Sequence, residues 1–282
     1  MKTLSVGNKK YKFLFMKLAT RLLIVLVSLL SITCAEDLDS ENFGPGNTSN
    51  DGINGSYSQI IVYGDWMYGL QENLLTTLDI TDKSNIQIIH QQELAFDIES
   101  IFRYDNLLFI GSSSSMYIYE IDSAGIPKRQ SVADYFTEDD EGAIICWQDP
   151  IVADDQFAYA TLSTSRVIER CGRSTLEQVN ELRIFNITDI SNPLQVAALP
   201  MFNPKGLAKS NDFIYVCDDT AGLKVVDVST PESPELVSEV SGFTAYDAVV
   251  YRGVLLVVGG DSFIQFDISN PFQVEELSRI NF

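Results

Sequence analysis

The chain has 282 residues, with 39 Asp and Glu against 19 Lys and Arg and a net charge of −20. So acidic a balance argues against nucleic acid or an anionic membrane surface as a partner. One histidine, His90, excludes a His-rich metal centre and makes His-based catalytic triads a poor expectation.

Met1 to Arg21 carry six basic residues (Lys2, Lys9, Lys10, Lys12, Lys17, Arg21) and no acid, and Leu22 to Ile32 is apolar. That run is too short to span a bilayer and reads as a secretory signal over 1–33. Cys34, directly after it, looks like the lipidated cysteine of a bacterial lipoprotein, although Ser31 stands where Leu is usual and Thr33 is larger than the common Gly or Ala. The competing reading is an ordinary signal cut near Ala35, with Cys34 discarded. Glu36, Asp37, Asp39 and Glu41 are similar to acidic stretches that send lipoproteins to the outer surface in some Gram-negative groups; a solvated linker is the plainer reading. The expectation is an outer-membrane lipoprotein of the cell envelope, anchored to the membrane through lipid.

Residues 34–56 are rich in Asp, Asn, Gly and Ser, the composition of a flexible tether. Without the six basic residues of the signal, 13 basic residues face 39 acidic ones, a net charge of −26. This balance permits cation binding, but its usual meaning is solubility. What remains is long enough for one large all-β domain with a substantial core.

From Tyr57 onward the chain repeats. An apolar, Asp-like, apolar core recurs as Leu78-Asp79-Ile80, Tyr119-Glu120-Ile121, Phe185-Asn186-Ile187, Val226-Asp227-Val228 and Phe266-Asp267-Ile268, spaced by 41, 66, 41 and 40 residues. Each copy runs into a polar turn and another apolar segment, and each is preceded by a Val, Ile, Tyr or Phe run bounded by Asn, Asp, Gly and Ser, as in Asp212 to Val216. A period near 40 offering four short strands is a supersecondary repeat, and the long gap is one repeat plus an insertion. A four-stranded sheet of this size cannot bury both faces alone. Stacking several around an axis can, which predicts a β-propeller of five four-stranded blades over 57–282. The segment Leu223-Lys224-Val225-Val226-Asp227-Val228 and the turns Asp227 to Pro231 and Asp267 to Pro271 resemble the LVIVD-repeat proteins of bacterial and archaeal surfaces. That resemblance implies a β-propeller and no established activity.

The extra length falls at about 133–148 and 163–180, in two connections that a propeller blade places on one face. Elaborated loops on a rigid scaffold are where binding resides. Cys146 and Cys171 lie in these insertions and form the expected disulfide of an exported chain, with Cys217 buried and unpaired. A Cys146–Cys217 pairing and a three-thiolate metal site are the alternatives, the latter lacking a CxxC pair or a nearby His.

The mouth of the central channel is expected to gather the residues at the start of each inner strand: Glu99, Asp149, Lys205 and Asp247, with Asp97, Trp147 and Tyr246 beside them. Carboxylates with aromatic walls could hold Ca²⁺ or a sugar, or simply cap turns in water. Glu99 with Asp149 or Asp247 could also serve as the paired carboxylates of a glycoside hydrolase. The recurring Asp79, Asn186, Asp227 and Asp267 read as turn caps instead. No catalytic signature and no resident cofactor emerges. The expected function is a binding or scaffold module for a protein or glycan, with glycoside hydrolysis the alternative.

Overall fold

The computed structural model describes residues 59–94, 98–112, 114–135, 150–163 and 179–282. They form five four-stranded antiparallel sheets taken in chain order, the five blades of a β-propeller. Blade 1 holds β1 (Ile60–Tyr63), β2 (Trp66–Gln71), β3 (Leu74–Asp79) and β4 (Gln87–Glu93). Blade 2 holds β5 (Ile98–Tyr104), β6 (Leu107–Ser112), β7 (Ser115–Ile121) and β8 (Pro127–Asp134). Blade 3 holds β9 (Ile151–Ala153), β10 (Phe157–Ser163), β11 (Asn180–Asn186) and β12 (Leu194–Pro200). Blade 4 holds β13 (Leu207–Ser210), β14 (Phe213–Cys217), β15 (Leu223–Asp227) and β16 (Glu235–Val240). Blade 5 holds β17 (Ala245–Tyr251), β18 (Val254–Gly259), β19 (Ser262–Asp267) and β20 (Glu275–Asn281).

The repeat motif ends the third strand of every blade, and its acid closes the turn that follows. Asp79, Asn186, Asp227 and Asp267 each accept the backbone N–H two residues on, from Thr81, Thr188, Ser229 and Ser269, at 2.8–3.0 Å. This is the side-chain mimic of a turn for which Asp and Asn are suited. In blade 2, Glu120 is too long for that geometry and accepts instead from the Asn106 side chain. Asp122 supplies the cap there, taking the N–H groups of Ala124 and Ile126. A β-bulge falls at the start of the motif in all five blades, between Thr77 and Leu78 in the first and between Gln265 and Phe266 in the last. Such bulges increase local twist and turn the outer strand away from its neighbour.

Alternating residues along each strand face the neighbouring blades, so the core is divided among the seams. Ile61, Tyr68 and Leu75 of blade 1 meet Ile101, Leu108 and Tyr119 of blade 2. Phe109 and Ile118 meet Ile151, Ala158 and Phe185 between blades 2 and 3. Tyr159, Leu182 and Ile184 meet Leu207, Ile214 and Val226 between blades 3 and 4. Tyr215, Leu223 and Val225 meet Ala248, Leu255 and Phe266 between blades 4 and 5. Side chains also cross the seams with polar bonds: Tyr68 donates its hydroxyl to the carbonyl of Gly125 at 3.0 Å.

Candidate functional site

Because all blades run the same way, the connections β8–β9 and β10–β11 leave the same face of the molecule, here called the top face. The insertions predicted at 133–148 and 163–180 occupy these connections and flank β9 and β10 of blade 3. Their described ends are firmly held. Tyr135 donates its N–H to the Ser114 carbonyl at 2.9 Å, its ring packs on Phe185, and its carbonyl accepts from the buried Arg183 guanidinium, which also pairs with Glu181. At the other end, Ser163 donates its hydroxyl to Asn203.

From blade 3 a continuous set of hydrogen bonds runs across blade 4 to blade 5. Thr161 donates its hydroxyl to the Lys205 carbonyl at 2.5 Å. Asp218, fully buried just past β14, accepts the backbone N–H groups of Phe202 and Asn203, while the Asn203 amide donates to Asp219 at 2.6 Å. The Asp219 carbonyl in turn accepts from Ala245, and Gly206 donates its N–H to the Tyr246 carbonyl at 2.8 Å. The two acidic residues therefore lock the β12–β13 connection against the end of β14 and the start of β17, using charge-assisted bonds stronger than neutral ones. Sequence reading passed over Asp218 and Asp219. The available signal was an Asp pair in a turn closed by Gly222, whose φ of 84° favours glycine.

Of the residues expected at the channel mouth, the structure brings Lys205, Tyr246 and Asp247 together at the starts of β13 and β17. Gly206 fits directly against Asp247, and a Cβ there would overlap the carboxylate. Glu99 stands on β5, two inner strands away from β13. The register also revises the alignment between blades: Glu99 and Tyr246 are the residues skipped at matching β-bulges, so Tyr246, rather than Asp247, is the counterpart of Glu99. Bulges re-aim a side chain, and both inner strands, β5 and β17, carry one at this position. Asp97, Trp147, Asp149, Cys34, Cys146 and Cys171 lie outside the described residues.

Cys217 is buried and not in a disulfide. Burial first, then the carboxylates of Asp247 and Asp218, push its thiol well above the ordinary range, so it is neither a nucleophile nor a ready metal ligand at neutral pH. Among the described residues no three His, Cys, Asp or Glu side chains are arranged to hold a metal ion. Exposed aromatics rim the same face: Tyr246 is 45% exposed and Phe202 is 55% exposed. Beside them an open cleft between blades 4 and 5 is lined by Thr220, Phe243, Asp261, Arg279 and Asn281.

Residues 54–91 and 205–241 match the LVIVD repeat and fall on blades 1 and 4. Among curated proteins no sequence is similar to this chain. A functionally unknown protein from Desulfotomaculum acetoxidans DSM 771 is similar in structure, with a TM-score of 0.59 at 12% identity, over 79% of this chain and 69% of that one. BamB from Moraxella catarrhalis gives 0.51 at 14% identity, over 79% and 63%. AztD from Citrobacter koseri in its apo form gives 0.51 at 11%, over 77% and 60%. This chain thus spans less than two thirds of the latter two, and at these identities the likeness is one of fold.

Proposed function

We propose that this LVIVD-repeat propeller is an exported, lipid-anchored binding or scaffold module of the cell envelope that grips a protein partner on its top face. The observation that carries this reading is the pair of insertions leaving one face around blade 3, above a platform braced by Arg183, Asp218 and Asp219. Rigid bracing under elaborated loops lowers the ordering cost of association. Chemistry has a weaker claim: Asp218 is occupied with backbone amides, and the Cys217 thiol stays protonated. In this reading the lipid is carried by Cys34, and Cys146 bonds to Cys171 to tie the two insertions together.

The test is crosslinking on intact cells, comparing the natural chain with one in which 136–149 and 164–178 are each replaced by a short turn. A partner crosslinked to the first and lost from the second, with the thermal midpoint retained, supports the reading; equal crosslinking overturns it. Cys34→Ser should abolish acyl labelling and release the chain from membranes. A second reading, glycan binding at the mouth, is favoured by the exposed Tyr246 beside Lys205 and Asp247. A ligand that binds only the folded state raises its midpoint. A shift with oligosaccharides that Asp247→Ala removes would favour glycans over a protein partner.

A further inference from the structure

The repeat lets both sides of each seam be named position by position. Blade 4 offers Ala208, Tyr215, Cys217, Leu223 and Val225 to blade 5, which covers them with Ala248, Val250, Leu255 and Phe266, all at most 5% exposed. Strand register carries these positions to the ends of the blade series. On blade 5 the counterparts of the covered set are Val249, Leu256, Val258, Phe263 and Gln265. On blade 1 the counterparts of the covering set are Ile60, Val62, Met67 and Leu78.

At both ends none of these positions is fully buried: Val249, Leu256, Val258, Met67 and Leu78 are half-buried, and Ile60, Val62, Phe263 and Gln265 are exposed. Phe263 is 55% exposed and its ring meets that of Phe282, itself 71% exposed, at a tilt of 58°, with Ile280 opposite it in the sheet at 69%. Val62 is 54% exposed, and Ile88, across from Leu78, is 59%. Among the described residues no buried cluster joins blade 5 to blade 1. Two apolar sheet faces without a charged residue among these counterparts are unusual on a chain of net charge −20, and contiguous exposed apolar patches mark interaction surfaces.

We propose that the free face of blade 1 in one copy of this chain packs on the free face of blade 5 in a second copy, continuing the blade-on-blade stacking head to tail. The occupant follows from the seams already present. Each free face is the repeat equivalent of a surface that this same chain covers with a blade, and the two are the two complementary halves of that seam. Such a contact is heterologous, joining different patches on the two copies, and leaves a free face at each end for further copies or for ring closure.

Sedimentation of the full chain in detergent, across a range of concentrations, tests this, together with two variants at solvent-facing positions where a charge leaves each chain's own core intact. The natural chain is expected to sediment as two or more copies. Val62→Asp disables the blade 1 face, Phe263→Asp disables the blade 5 face, and each variant alone should sediment as one chain. An equal mixture of the two should form a species of two chains and no more, because one intact face of each kind remains. A natural chain that stays single at every concentration, variants that associate as well as the natural chain, or a mixture that does not pair would each overturn the proposal.

Discussion

The carboxylate of Asp218 accepts the backbone N–H of Asn203 at 2.7 Å and that of Phe202 at 3.1 Å, so one fully buried side chain holds the connection between blades 3 and 4 in place. Removing it leaves two backbone donors without their acceptor, and hydrogen bonds to a charged group contribute about 1.5–3 kcal/mol each. Asp218→Ala should therefore lose about 3 kcal/mol or more of stability in urea unfolding, and Asp218→Asn, which keeps one acceptor oxygen, should lose less. Equal losses for both would mean that packing, not hydrogen bonding, is what Asp218 supplies.

Gly206 and Asp247 make a second relationship that mutation can separate. A methyl group at 206 would overlap the Asp247 carboxylate and crowd its α-carbon. Overpacking of this kind costs about 1–3 kcal/mol. Gly206→Ala should fall in that range, and adding Asp247→Ala should recover part of the loss, giving a coupling energy between the two sites. Strictly additive effects in the double variant would show that residue 247 moves aside without cost.

The turn-capping acids give the fold a sensitivity to acid. Thr81, through its hydroxyl and then its N–H, holds the Asp79 carboxyl below the usual range; the Ile126 N–H and then Lys128 do the same for Asp122, and the N–H and hydroxyl of Ser269 for Asp267. Each group therefore binds its proton more weakly folded than unfolded. The stability it adds is present above the ordinary value of 3.8 and is lost as pH falls through the lower folded value. The urea midpoint should fall modestly as pH drops below about 4, because these caps are exposed and screened by solvent, and it should fall less for Asp267→Ala, which begins lower at neutral pH. An unchanged acid slope in that variant would remove Asp267 from the account.

What the sequence disclosed and what it withheld divide along the same physical line. The turn caps at Asp79 and Asp267 bond only two residues ahead, so their pattern is local and recurs visibly. Asp218 bonds 15 and 16 residues back, to backbone groups that any residue would present, and its local mark, an Asp pair before Gly222, signals a turn rather than these distant partners. The β-bulges before the motif are likewise a matter of backbone register. For that reason Tyr246 and Asp247 could not be told apart as the counterpart of Glu99 until the pairing of β17 with β18 was known. The insertions were legible because an interruption in a regular spacing needs no three-dimensional knowledge to be found, and topology alone puts both on one face.

Cysteine chemistry offers the last test. The Cys217 thiol is fully buried, and burial, then Asp247 and Asp218, disfavour its thiolate, the form that reacts. A thiol reagent at pH 8 should leave Cys217 unmodified in the folded protein and label it only as the chain is carried through its urea transition. Labelling as fast as that of a small free thiol would mean that the seam between blades 4 and 5 opens far more readily than its packing indicates. Peptide mapping under non-reducing conditions reads the same sample for the other pair. A crosslinked peptide containing Cys146 and Cys171 is the expected product. One joining Cys146 to Cys217 would instead require the buried thiol to reach the first insertion, and would pull Cys217 out of the buried cluster it shares with Leu223 and Val257.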